Sequence, residues 1–201
     1  MAVTATAQQT EAGRSVPVNV RGVDHLVFNT DDMAATIAFY CDVLGMRLVH
    51  AARTPRVADR SGAGEPPFPY LRHYFFDMGN DSTIAFFEYP KGTARGDRDH
   101  VGTMQHCALH VSRKDFEAAR RRLEACGVPY VGPLDRVIRH SIYFYDNNGI
   151  RLELTTFPTG EDFETVGSVL QTRAEARREL ATLYADAAEL ERVLDGMRLR
   201  D

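Results

Sequence analysis

Val23-Asp24-His25-Leu26-Val27-Phe28 recurs further along the chain as Met104-Gln105-His106-Cys107-Ala108-Leu109-His110-Val111. Each copy is a short β-type run in which a histidine interrupts apolar residues, and each leads at once into a helix pattern. After His25 come the capping residues Thr30 and Asp31 and the run Met33 to Tyr40, closed by Leu44-Gly45. After His106 come Ser112 and, three places on, Asp115 as a capping box, then Phe116 to Cys126, closed by Gly127. The following strands match too. Arg72-His73 leads through Tyr74-Phe75-Phe76-Asp77 to Ile84-Ala85-Phe86-Phe87-Glu88, and Arg139-His140 leads through Ile142 to Asp146 and on to Leu152-Glu153-Leu154. The pattern predicts an α+β fold built from two tandem βαβββ modules, each with a histidine on its first strand and a glutamate on its last.

The repeats differ in length: Glu88 lies 63 positions after His25, and Glu153 lies 47 after His106. The Gly- and Pro-punctuated stretch from Pro55 to Pro67 accounts for most of the difference as a long loop, either a substrate wall or a solvated insertion. The expected organisation is a disordered arm over residues 1–20, a first module over 21–90, a linker over 91–103, a second module over 104–158 and a helical extension over 159–201. In the extension, Leu180, Leu183, Ala187, Leu190, Leu194 and Met197 follow the spacing of a coiled-coil seam. They predict one terminal helix that packs on its own modules or on a second subunit, and a homodimer is expected.

The 201 residues carry 24 basic and 28 acidic side chains, a net charge of −4, with no basic cluster interleaved with aromatics. Nucleic acid is therefore not an expected partner. No apolar run reaches the roughly 20 residues of a membrane helix. The first 20 residues have no cationic and apolar signal-peptide regions, so a cytoplasmic protein is expected. Cys41, Cys107 and Cys126 sit in apolar contexts and read as buried, reduced thiols.

Residues two apart in a strand share a face. His25 thus faces with Val27 and Asn29, and His106 with Ala108 and His110, while Glu88 and Glu153 interrupt apolar last strands. A single histidine in an apolar strand is ordinarily a hydrogen-bonded core residue. Four ionisable groups at matching places in two copies point instead to one shared partner, because a buried glutamate is costly unless paired, protonated or bound to a metal. If the two strand sets fold against each other about a pseudo-twofold axis, His25, Glu88, His106 and Glu153 converge as ligands of one divalent metal ion. Such donors accept Zn, Ni, Co, Mn or Fe(II). His73 and His140, each after an arginine, are candidate substrate contacts or members of internal ion pairs. His110 shares the face of His106, and Tyr143, ten residues before Glu153, could donate to a bound oxyanion or simply fill the core.

These residues carry a resemblance. The strand histidines, the helix endings Phe39-Tyr40-Cys41-Asp42-Val43-Leu44-Gly45 and Leu123-Glu124-Ala125-Cys126-Gly127, and the closing Asn148-Gly149-Ile150-Arg151-Leu152-Glu153-Leu154 resemble the vicinal oxygen chelate superfamily over residues 22–158. The group includes glyoxalase I, extradiol dioxygenases and fosfomycin and bleomycin resistance proteins. The resemblance implies a cupped, incomplete mixed β-barrel around a metal. His, Glu, His, Glu in chain order is similar to bacterial glyoxalase I and implies metal-assisted proton transfer. A small-molecule substrate such as an α-hydroxyketone would pass through an enediolate, with Glu88 and Glu153 as the catalytic bases of an isomerase or epimerase. Residues 72–79 and 84–88 also look similar to C7-cyclitol epimerases of the 2-epi-5-epi-valiolone type. Three alternatives remain. A glyoxalase I-like lyase would return the proton to the neighbouring carbon. An Fe(II) extradiol dioxygenase is supported by the spacing Tyr143, Asp146, Gly149, Glu153, but it has Asn147 where proline is expected and leaves Glu88 without a role. A metal-free drug- or metabolite-binding protein would ordinarily lack the full ligand set.

Overall fold

The computed structural model describes residues 20–55, 70–136, 139–157 and 167–200. The expected N-terminal arm, the loop up to Pro67 and the start of the extension lie almost wholly outside the described residues. The chain divides into two compact units, residues 1–33 with 46–90 and residues 34–45 with 91–201.

In the first unit, β1 (His25–Thr30), β2 (Leu48–Pro55), β3 (Tyr70–Gly79) and β4 (Ser82–Glu88) form one mixed sheet in the order β1-β4-β3-β2. β1 runs parallel to β4 and the other pairs are antiparallel. Phe76, Ile84 and Phe86 are fully buried on one face, a burial that stabilises by about 1.5–3 kcal/mol for each such side chain. The β3–β4 connection turns at Asn80 and Asp81, both at positive φ (50° and 56°), which is the geometry that matches the twist of a tight hairpin.

The second unit repeats the topology. Its strands β5 (Cys107–His110), β6 (Tyr130–Asp135), β7 (His140–Tyr145) and β8 (Arg151–Thr156) are ordered β5-β8-β7-β6. Helix α1 (Met33–Ile37) continues as a π-helical turn (Ala38–Val43), and α2 spans Arg113–Ala125. The Ser112 hydroxyl accepts from the Asp115 amide as predicted, and Gly127 takes up positive φ after the helix end. α+β is thus the observed class, as two four-stranded mixed sheets, neither closed into a barrel.

Residues 34–45 group with the second sheet rather than with the strands that flank them in sequence. Phe39 packs 6.4 Å from Phe144, the buried Tyr40 hydroxyl donates to Asp146 Oδ2 at 3.2 Å, and Arg122 Nε donates to the Asp42 carbonyl at 2.8 Å. Burial pushes the Asp146 carboxyl above its usual range, opposed by donors from Ile150, Asn148 and Tyr40. Burial first, and then the Asp146 charge, raises Tyr40 well above the usual phenol value. The stretch expected to be a linker is anchored to this unit, where Arg95 donates to the Asn147 carbonyl at 3.1 Å and Arg98 lies over Tyr145.

The single terminal helix is replaced by two, α3 (Arg173–Leu180) and α4 (Ala187–Asp195). Asp186 breaks the run because its side chain caps α4 through the Glu189 amide, a role that an aspartate fills better than a helix interior. Ala176, Leu190 and Leu194 form a small core with Leu180, Tyr184, Met197 and Leu199, while Leu183 of the expected seam is 72% exposed. Arg173 ties the pair together through Glu191 and Asp195 at 2.8 and 2.7 Å. Of the cysteines, only Cys107 is buried; Cys41 is intermediate and Cys126, at the open end of α2, is exposed. No helix among the described residues is long and apolar enough to cross a membrane.

Candidate metal centre

In the second unit the parallel pairing of β5 with β8 sets Ala108 opposite Glu153, and β7 sets Tyr143 on the other side of Glu153. His106, one residue before β5, brings Nε2 to 3.0 Å from Glu153 Oε2. Its Nδ1 meets Gln105 Oε1, which also accepts from Arg151 at 3.3 Å. An amide oxygen only accepts, so a proton on Nδ1 points to Gln105 and Nε2 is the ring atom that faces the carboxylate. At that distance the ring nitrogen and the carboxyl oxygen need a proton or a cation between them. Glu153 is 8% exposed, so its charge also needs a partner. A neutral imidazole nitrogen and a carboxylate oxygen aimed at one point suit a divalent cation, and an engaged Nδ1 is the usual support of a metal-bound histidine.

The first unit dresses its histidine the same way, with His25 Nδ1 against Asp24 Oδ1. The partner across the sheet differs. Val27 lies opposite Ala85, as Ala108 lies opposite Glu153, so alanine occupies the register position of the glutamate. Glu88 sits opposite Thr30, five residues beyond the partner of His25, about 16 Å along the strand at the usual rise. It also lies on the other face of the sheet, with Ile84 and Phe86. There Oε1 accepts from the Met33 amide at 2.9 Å, at the start of α1, and Oε2 pairs with Arg72. The expectation that Glu88 joins His25 as a ligand and base is therefore corrected. Its carboxylate answers a helix N-terminus and a guanidinium, both favourable partners for a negative charge.

The Arg-His match shifts in the same way. His73 lies opposite Phe87 and shares the His25 face, whereas His140 lies opposite Thr156, on the face away from Glu153, with Nδ1 3.4 Å from the Arg113 guanidinium. The register counterpart of His73 is Ser141. His73 stacks on Phe87 at 3.9 Å and approaches Phe75 at 4.3 Å, and its buried Nε2 has no hydrogen-bond partner among the described residues. Burial, and then the neighbouring His25 and His50, hold its pKa below the usual imidazole range. His110 stays on the Glu153 face, 5.2 Å from Phe157. Tyr143 stands edge-on to His106 at 5.9 Å.

Among the described residues no three His, Cys, Asp or Glu side chains come together as a group able to hold a metal ion. His106 and Glu153 are brought together as a pair. The sequence reading passed over Asp24 and Gln105, although both are side chains with a carbonyl oxygen immediately before the repeated histidine. It also passed over Arg136, Arg151 and His50, which no repeat marks.

The chain is 27% identical over 150 residues to the putative ring-cleaving dioxygenase MhqA of Bacillus subtilis, covering 73% of this chain but only 43% of that protein. It is 28% identical over 139 residues to the metallothiol transferase FosB of Staphylococcus haemolyticus, covering 68% and 84%. A glyoxylase/bleomycin resistance protein/dioxygenase domain from a Frankia species has a similar fold, with a TM-score of 0.56 at 19% identity over 71% of this chain and 96% of that one. Residues 22–154, which hold both repeats and the His106–Glu153 pair, match one family throughout, and the chain belongs to the Glyoxalase/Bleomycin resistance protein/Dioxygenase superfamily.

Proposed function

We propose that the chain is a divalent-metal-dependent enzyme in which His106 and Glu153 hold the ion, leaving its other positions for neighbouring oxygens of a small substrate. The observation that carries this reading is His106 Nε2 set 3.0 Å from the buried Glu153 carboxylate while Nδ1 is already engaged by Gln105. When bound, the cation supplies Lewis acidity to the substrate oxygens.

The residues favour one chemistry within that class. Proton transfer between two carboxylates needs a second carboxylate, and Glu88 is committed to the Met33 amide and Arg72. An imidazole and a carboxylate with no second carboxylate beside them are donors that non-haem Fe(II) oxygenases use. The spacing of Tyr143, Asp146, Gly149 and Glu153 supports ring cleavage of a catechol-type substrate, and so does the similarity to MhqA. Tyr143 would orient a substrate oxygen beside His106.

The test is calorimetric titration of chelator-treated protein with Mn(II), followed by dioxygen uptake by Fe(II)-loaded protein with a panel of catechols. Wild type and Glu88→Ala are expected to bind Mn(II) alike, and His106→Ala and Glu153→Ala to lose at least tenfold in affinity. No dioxygen uptake, together with deuterium exchange into α-hydroxyketones in heavy water, would move the reading to an isomerase.

A further inference from the structure

One aromatic ring beside the proposed centre carries two guanidinium groups. Arg151 lies 4.5 Å from the centroid of the Tyr143 ring and Arg136 lies 5.9 Å from it, and the same ring stands 5.9 Å from His106. Arg151 shares the face of Glu153, two residues away on β8, and Tyr143 lies directly opposite Glu153. Among the described residues neither guanidinium meets a carboxylate. Arg151 donates only to Gln105 Oε1, at 3.3 Å. Elsewhere in the chain, guanidinium groups that crowd together are neutralised, as Arg173 and Arg177 are by Glu191. Two like charges drawn to one ring without a counter-charge repel each other, and the attraction of each to the ring face offsets this only in part.

We infer that Arg136 and Arg151 form an oxyanion-binding subsite, and that the substrate carries an anionic group, a carboxylate or a phosphoryl oxyanion, next to its metal-binding oxygens. The inference rests on the proposed reading for the location of the reacting oxygens; the subsite itself rests on the two guanidinium groups and Tyr143. A guanidinium presents parallel N–H donors that match the paired oxygens of either anion, and both groups stand within 6 Å of the Tyr143 ring centroid. Arg151 has a second effect through Gln105. The amide oxygen that it holds also fixes the ring of His106, so an anion drawing Arg151 forward acts on the histidine that faces Glu153.

The experiment uses benzoate and phenylphosphonate, which share an aryl body and differ in the anionic group, with benzamide as the neutral analogue. Each is titrated calorimetrically into chelator-treated and Mn(II)-loaded full-length protein. The expected result is saturable binding of at least one anion and none of benzamide, weakened about tenfold or more in Arg136→Gln and Arg151→Gln. The variant Arg121→Gln, an exposed residue of α2, should leave it unchanged. Tighter binding of benzoate assigns a carboxylate, and tighter binding of phenylphosphonate a phosphoryl group. Binding of benzamide equal to that of the anions, no binding of either anion, or anion affinity unchanged in both subsite variants would overturn the inference. Failure of wild type to bind Mn(II), with anion binding intact, would instead overturn the metal-centre reading and leave the subsite standing.

Discussion

Replacing Glu88 by alanine separates a structural carboxylate from a metal-binding one. The side chain accepts from the Met33 amide at 2.9 Å at the start of α1 and pairs with Arg72. Loss of a charged acceptor at a helix start costs about 1–2 kcal/mol. In a chain of this length each kcal/mol lowers the melting temperature by about 2–4 °C, so the variant should melt roughly 2–8 °C lower. The same variant should keep the stabilisation that metal confers, because its carboxylate lies on the face of the sheet opposite His25. At 100 times Kd a ligand that binds only the folded state adds about 2.7 kcal/mol, and wild type and Glu88→Ala should gain that alike. Glu153→Ala, at least tenfold weaker, should gain about 1.4 kcal/mol or less at the same Mn(II) concentration. The assay is a thermal melt with and without Mn(II), beside calorimetric Kd values. A tenfold weaker Mn(II) affinity in Glu88→Ala, with its melting temperature unmoved, would refute the register argument and restore Glu88 as a ligand.

The other predictions concern the supports of the site. Gln105→Leu removes the acceptor on His106 Nδ1 and should weaken metal about 10- to 100-fold, read by competition with a chromophoric chelator. Tyr40→Phe takes one buried donor from Asp146 and should cost about 1–2 kcal/mol in urea denaturation, with metal affinity unchanged. Asp146 is pushed above its unfolded value, so the folded state binds more protons than the unfolded one between the two values. Its contribution to stability is therefore present below the ordinary aspartate range and is lost as pH rises through the folded value. The stability difference between wild type and Asp146→Asn, followed by urea denaturation from pH 3.5 to 7, should shift against wild type with rising pH.

The duplication was legible because histidine in an apolar strand, a capped helix and a closing Leu-Glu-Leu are local signals that survive translation along the chain. Register was not. The repeats were aligned on Arg72-His73 with Arg139-His140 and on Glu88 with Glu153, but the strand pairing sets His73 against Ser141 and Ala85 against Glu153. A slip of one residue turns a side chain to the other face of a sheet, and one of three does the same while moving it about 10 Å. Length differences between repeats conceal such slips, since a long insertion between β2 and β3 absorbs any small remainder. The C-terminal seam failed for a different reason. Apolar spacing continues through Leu183, but a side-chain cap by Asp186 competes locally with the helix and wins.

The two units also explain how one scaffold used twice can stop being symmetrical. His25 lies 5.8 Å from Phe75, and His106 lies 5.9 Å from Tyr143, at the matching place on the matching strand. The frame around each histidine is therefore the same, down to the carbonyl oxygen that holds Nδ1. What differs is the chemistry of the neighbours. The first unit offers Phe75, Phe87, Ala85 and the imidazoles of His50 and His73, with no carboxylate opposite the strand histidine. The second offers a carboxylate, a phenol and two guanidinium groups. Identical units would present the same donors twice, which suits a paired-carboxylate reaction. In this chain the carboxylate opposite the strand histidine belongs to one unit alone, with Ala85 at the same register position in the other. His106 is therefore the strand histidine that meets a glutamate, while His25 meets only the aspartate beside it.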